Sequence, residues 1–460
     1  MQTDVRQPNT VQYDAQGNAL TAASAEAAGA FDRVIAGYLG YRADMPRRME
    51  ALFAADPQMP FAHLLKGILA MLSYTQAALP VARQAADAAR ALASHATSRE
   101  QAHLAALDAW IAGEPDRAAA LWEQILLAHP RDVLAFRLAH FVNFWLGRPD
   151  RMLASVLSTQ PHWSEEVPGY GSLLGCRCFA LEECGHYTEA EAVGREAIAR
   201  DPTDLWAAHG VAHVLEMQGR RGEGIAWIEG LAGNWHGANN LQHHLFWHAA
   251  MFHLERGDTA RVLALYDERF RDLASPLVLA LPDLYIDLQN AASMLFRLVR
   301  QGVDVGERWG ELADHAEARI GDCVSGFTLP HLMMALAATG RQAAAERMLS
   351  AMRDFAAANT TNAALVRDYA LPISAAVAAH GRGEYAQAVA LMRPALSGMY
   401  RLGGSHAQQD VLEQLFLDAA VKAGQSGDAR MLLERVAGRH KLPPSRRIGY
   451  AAAARALAFS

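Results

Sequence analysis

Apolar residues recur along this chain every three to four positions, in stretches of about four helical turns, and no alternation of β-branched residues runs long enough to make a sheet. The stretches are punctuated by glycines that follow the last apolar position: Gly113, Gly147, Gly185, Gly219, Gly257, Gly302, Gly340, Gly383 and Gly424. A helix commonly ends on a residue with left-handed backbone geometry, which glycine adopts without steric cost, so these positions predict helix ends.

Successive glycines are 34, 38, 34, 38, 45, 38, 43 and 41 residues apart. Two packed helices and their turns need about this length, and 34 residues is the tetratricopeptide period. One unit carries the local signature in order, with Ala180, Gly185, Tyr187, Ala190, Ala197 and Pro202. A sister unit has Gly113, Ala118 and Pro130 with the same 17-residue interval from glycine to proline. The remaining units are degenerate. Ahead of Gly113, segments 21–40, 60–74, 79–94 and 98–112 also show helical apolar patterns.

The expectation is an all-α chain: an irregular right-handed solenoid of tetratricopeptide-like helix-turn-helix repeats, closed far enough to enclose an internal pocket. Its organisation is expected as a loosely attached polar tail over 1–20, a helical cap over 21–97, the repeat array over 98–440, and a C-terminal helical cap over 441–460.

Composition narrows the function classes. The chain has 460 residues, 52% hydrophobic and 20% charged, which suits packed helices and not disorder. A formal charge of −7 with no basic block argues against a nucleic-acid partner. No signal-peptide pattern and no spanning apolar run are present in the sequence, so a cytoplasmic protein with no membrane partner is expected. Cys176 and Cys178 point about 200° apart on one helix and pair poorly, so buried, reduced thiols are expected, together with Cys184 and Cys323.

Histidine changes the picture. Of 19 histidines, seven lie within 209–253, where about two are expected by chance: His209, His213, His236, His243, His244, His248 and His253. His209 and His213 are four apart on one helix with Glu216 three further on, so the three share a face. His244 and His248 repeat the spacing on the first helix of the next repeat. First helices line the inner surface of such an array, which sets the pairs side by side. Counted back from the closing glycine, His103 and His209 lie at −10, His248 and His331 at −9, and His140 at −7, forming a ladder along one groove.

Residues 403–410, GGSHAQQD, read as a turn into a helix capped by Ser405, with Gln408 completing a capping box. His406 in the first turn is then disfavoured as imidazolium and available as a base, with Asp410 one turn on, and the free amides there suit an anion.

Together the stretches HGVAHVLEMQGRRGEGIAW at 209–227, LFWHAAMFHLERGD at 245–258 and GGSHAQQD at 403–410 resemble the tetratricopeptide repeat protein 38 family, with weaker agreement from about residue 20 to 435. The resemblance implies a cytosolic helical repeat protein in which His209, His213, Glu216, His248, His406 and Asp410 occupy characteristic positions. Asn290 departs from the pattern, which favours Asp there.

The leading expectation is a histidine-lined pocket that binds a small polar or anionic molecule and acts on it by acid-base chemistry, as a hydrolase or lyase. His406 is the favoured base, with Asp410, His213 and Glu216 as further catalytic candidates. His209, His244, His248, Trp247, Asn290, His140 and His331 are the ligand-binding candidates. No cofactor is required by this reading. A divalent metal on His209, His213 and His248 is the alternative chemistry, although Gly210 stands where a metalloprotease helix has Glu. No nucleophile is evident. The second function class is a non-enzymatic scaffold whose groove takes a protein partner. The bland reading gives Trp206, Trp227, Trp235 and Trp247 to packing, along with His95, His129, His162, His186, His315, His380 and His440. Oligomeric state is not legible.

Overall fold

A computed structural model describes residues 10–459. The architecture is the all-helical, irregular array of helix-turn-helix repeats that the glycine punctuation predicts, and all nine punctuating glycines have positive φ. Paired helices include Ser98–Ile111 with Pro115–Ala128, Val133–Trp145 with Pro149–Thr159, Tyr170–Glu183 with Tyr187–Arg200, Leu205–Met217 with Arg221–Leu231, Thr328–Ala338 with Gln342–Ala356, and His406–Lys422 with Ser426–Ala437.

The N-terminal segment differs from the loose tail expected over 1–20. Residues 1–9 lie outside the described residues, and Thr10–Tyr13 pairs antiparallel with Ala19–Ala22 in a short hairpin. Its anchor is electrostatic. Asp14 in the turn meets the buried Arg99 at 3.0 Å, and Thr21 Oγ1 donates to Glu100 Oε2 at 2.7 Å. A helix over Met45–Ala55, which the apolar pattern did not signal, follows Ala25–Leu39.

First and second helices of the repeats have different surroundings. The second helices are amphipathic, as a helix with one solvent face must be. First helices are enclosed: Leu205–Met217 has only Glu216 outside its buried set, and Tyr285–Arg300 buries Asp287, Gln289, Asn290, Ser293 and Arg297 among its apolar residues. Their inner faces touch because the array curls onto itself. Asn362 N–H donates to Gly113 O at 3.0 Å, Arg319 reaches Tyr74 O at 3.1 Å, and Lys441 N–H reaches Met217 O at 3.2 Å. Tyr74, Trp145, Tyr285 and Phe327 interlock at the centre with ring centroids 5.2 to 6.0 Å apart.

One approach is close enough to require glycine. A Cβ on Gly147 would stand 2.0 Å from the carbonyl oxygen of Tyr400, and one on Gly403 2.6 Å from that of Trp145. Both residues have positive φ, so sequence and conformation select glycine twice over. This contact brings the GGSHAQQD turn against the 145–147 turn and so aims the His406–Lys422 helix into the middle of the array.

Candidate functional site

Four imidazoles meet where the Leu205–Met217 and Leu241–Glu255 helices pack. One ring nitrogen from each of His209, His213, His244 and His248 lies within 4.8 Å of the other three, and all four side chains are buried. The four-residue spacing on each helix stacks two rings on one face, and adjacent first helices bring the two faces together. His209 Nε2 and His213 Nε2 are 2.9 Å apart.

The far side of the cluster is ordered by oxygen atoms. His248 Nδ1 is 2.9 Å from Glu216 Oε2, and His244 Nδ1 is 3.0 Å from Asn290 Oδ1. An oxygen acceptor there fixes the proton on Nδ1 and leaves Nε2 of each ring as a lone-pair donor. His248 Nε2 is buried with no hydrogen-bond partner, and so is His209 Nδ1. Apolar packing holds the rings in place: His244 stacks on Trp247 at 5.2 Å and 10°, and His209 lies between Phe179 and Trp206 at 5.1 and 4.9 Å.

Burial decides the charge of these rings. It drives His209, His213 and His244 well below the usual histidine range, and His248 down to about 3. Neighbouring imidazoles push the first three the same way. All four are therefore neutral near pH 7, the form that coordinates a metal. Glu216 moves up to about 7, first through burial and then through the Asp410 charge, against the pull of Arg297 and Arg447.

A second group of donors adjoins the first. Glu182 and Glu183 close the Tyr170–Glu183 helix, and one oxygen of each lies within 4.8 Å of a His213 ring nitrogen. Glu182 Oε2 is 3.9 Å from His213 Nδ1, and Glu183 Oε2 is 3.9 Å from His406 Nδ1. Burial holds the Glu182 carboxyl well above the usual range, reinforced by Glu183 and Glu216. Glu183 is raised by burial too, with His406 pulling back. The sequence reading passed over both residues. A signal existed: Glu182 stands three before Gly185, as Glu216 stands three before Gly219.

The remaining candidates are placed elsewhere. The His406–Asp410 partnership expected from their spacing is replaced by two separate environments. Asp410 accepts from Arg447 at 2.6 Å, Tyr450 Oη at 2.5 Å and Gln414 Nε2 at 2.6 Å, with Arg297 at 3.4 Å, so it is the hub of a buried ion network. Those cations hold its carboxyl far below the ordinary value despite burial. The capping box of Ser405 and Gln408 is present as expected. His140 sits among Phe136, Phe179 and Trp206 with neither nitrogen partnered. His331 donates from Nδ1 to the Phe327 carbonyl at 2.9 Å, one turn back on its own helix. The ladder of imidazoles thus contracts to four.

Space at the site is small. A cavity of about 30 Å³ is bordered by Glu216, Glu255, Asp410, His440, Leu442 and Arg447, room for a water molecule.

No protein-family model matches the chain. Among solved structures it is similar to a chain in the structure of Naa15/Naa10 bound to HypK-THB, with 12% identity over 90% of this chain and a TM-score of 0.21. The match spans 62% of that chain.

Proposed function

We propose that this helical repeat protein binds a transition-metal ion, of the zinc, copper, nickel or iron type, through His209, His213, His244 and His248. The observation that carries the reading is the convergence of four neutral, buried imidazoles, two of which have Nδ1 fixed by Glu216 and Asn290. Four nitrogen donors suit these borderline metals, and oxygen-held imidazoles are the usual second layer around such ions. Donor atoms around a tetrahedral ion with bonds of about 2.0 to 2.1 Å stand about 3.3 Å apart. The present separations, from 2.9 Å to at most 4.8 Å, bracket that value.

An ion also accounts for what a purely apolar explanation leaves over. A buried orphan nitrogen costs about 1–3 kcal/mol, and His140 also carries that cost, so four rings meeting at one point, and not the orphan atoms alone, support the reading. The cavity that adjoins Glu216 has room for a water, which suits an ion at the neighbouring histidines better than a metabolite. Acid-base action on a small polar molecule would require the array to open, with Glu216 as the carboxyl poised nearest neutrality. Membership of the tetratricopeptide repeat protein 38 family rests on the three histidine-bearing motifs, and the buried free thiols fit a reducing, cytoplasmic setting.

The test is elemental analysis of the purified full chain, followed by zinc titration of the chelator-stripped protein. The expected result is tight zinc binding that is lost in the His209→Asn, His248→Asn variant. Metal-free protein with no affinity for zinc, copper or nickel sinks the reading, and leaves the scaffold with a protein partner as the better account.

A further inference from the structure

His213 belongs to both donor groups, and that shared membership suggests more than one ion. Its Nε2 faces His209 at 2.9 Å, while its Nδ1 faces Glu182 Oε2 at 3.9 Å. On the Glu182 side the polar groups are short of partners. Neither Glu182 oxygen meets an N–H or hydroxyl donor, and Glu183 Oε1 and His406 Nδ1 are also buried without a partner. Glu182 is fully buried, and among the described residues neither carboxylate has a Lys or Arg within 4.0 Å. Two adjacent carboxyls in such a place call for a countercharge.

The distances indicate what kind. A separation of 3.9 Å is too long for a hydrogen bond. An ion between a nitrogen and an oxygen, with bonds of about 2.0 to 2.2 Å to each, needs donor separations of about 3.3 to 4.2 Å. The Glu182 to His213 gap falls in that range, and one oxygen of Glu183 lies within 4.8 Å of the donor atoms of both.

We propose that Glu182 and Glu183 form, with His213, a second divalent-cation site, and that His213 joins it to the four-histidine site as a bridging imidazolate. The proposal rests on the four-histidine reading and extends it. Two carboxylates and one imidazole make a harder donor set than four imidazoles, so the second site favours ions that accept mixed oxygen and nitrogen ligation, such as Zn²⁺, Mn²⁺ or Fe²⁺. Coordination at both nitrogens of His213 displaces its remaining ring proton to solvent. Filling the second site therefore releases a proton as the cation binds. His406, placed at the helix start by the Ser405 cap, stands beside this site with its Nδ1 3.9 Å from Glu183 Oε2.

The experiment is titration of the chelator-stripped full chain with Co²⁺, read by visible absorption and by elemental analysis after desalting. Wild-type protein is expected to hold two equivalents, and the Glu182→Gln, Glu183→Gln variant one. Loading the wild type with two equivalents of Cu²⁺ tests the bridge without any substitution: coupling through the imidazolate reduces the paramagnetic resonance intensity below that of two isolated ions. One equivalent in wild type, abolished by His248→Asn, leaves the four-histidine site standing and overturns the second. Two equivalents retained in the Glu182→Gln, Glu183→Gln variant, or two uncoupled Cu²⁺ signals, also overturn it. No bound cobalt at all overturns both sites.

Discussion

The His209 cluster and the Asp410 network are both buried, polar and assembled from helices far apart in sequence, yet their hydrogen-bond accounts differ. Asp410 meets donors from Arg447, Tyr450 and Gln414, and Arg297 stands beside it, so the carboxylate's charge and lone pairs are matched within the protein, with Arg297 Nε and one Arg447 nitrogen left over. In the histidine cluster the outward nitrogens of His244 and His248 are matched by Asn290 and Glu216, and His209 and His213 bond each other, while His248 Nε2 and His209 Nδ1 lack a partner. A carboxylate surrounded by cations serves stability; four imidazoles meeting with no charge among them are the arrangement the proposed ion would complete. His103 is fully buried like His248 and, like it, has one nitrogen on a carboxylate, Asp132 at 2.9 Å, and one without a partner; what sets His248 apart is the three other imidazoles around it.

The largest effect that tests this contrast is on Asp410. Asp410→Ala strips the partner from Arg297 and Arg447, and removing one side of a buried pair costs about 3–5 kcal/mol. The urea midpoint is expected to fall accordingly in metal-free protein. His248→Asn is expected to do the reverse: metal affinity drops by at least about a hundredfold, while metal-free stability falls by less than in Asp410→Ala, because the neutral ring loses its bond to Glu216 and its packing and strands no buried cation. Equal losses of stability in the two variants, measured by denaturant titration, would erase the distinction. Next in size is Glu216→Gln, which keeps shape but removes the carboxylate behind His248. Zinc affinity is expected to weaken about 10- to 100-fold, as seen when such an orienting group is altered.

The smallest effect is a slope. His331, outside both sites, is pushed down to about 4, mainly by burial and secondarily by Arg297, against its bond to Phe327 O. Its folded value lies below the unfolded one of about 6.5, so below pH 6.5 the unfolded chain binds a proton that the folded chain refuses. Stability from this group is therefore intact above about pH 6.5 and declines by up to about 1.4 kcal/mol per pH unit as pH falls toward 4. Stability against pH for His331→Leu in chelator is expected to lack that increment over the same window. An unchanged slope would show that the ring is protonated in the fold.

Legibility followed the range of the interactions. Glycine ends, the Ser405 capping box and the pairing of His209 with His213 are set within about one helical turn, and each is readable from neighbouring residues. The meeting of the two histidine pairs needed only the adjacency of consecutive repeats. What escaped depended on closure of the array, which joins residues some 100 to 250 positions apart. Arg297 with Asp410, Lys441 with Met217, and Glu183 with His406 leave no periodic trace in the sequence. Asp410 looked like a catalytic partner of His406 because the two are one turn apart, but Arg447 and Tyr450 arrive from a different segment and claim it. The N-terminal hairpin was missed for a like reason, since its four-residue strands are polar on one side and depend on Arg99 and Glu100 for anchorage.

The segment running from Lys441 to Tyr450 carries a kinetic consequence. It is tied to Met217 O, to Asp410 and, through Gly449 O, to Arg300, and its Leu442 lies over Gly219 beside the small cavity at Glu216. An ion leaving or reaching the histidines from that side must wait for this strap to lift, which breaks a buried charge pair. Exchange of bound metal would then run on the clock of a local unfolding event, and a site of ordinary affinity could hold its ion for far longer than that affinity alone would dictate.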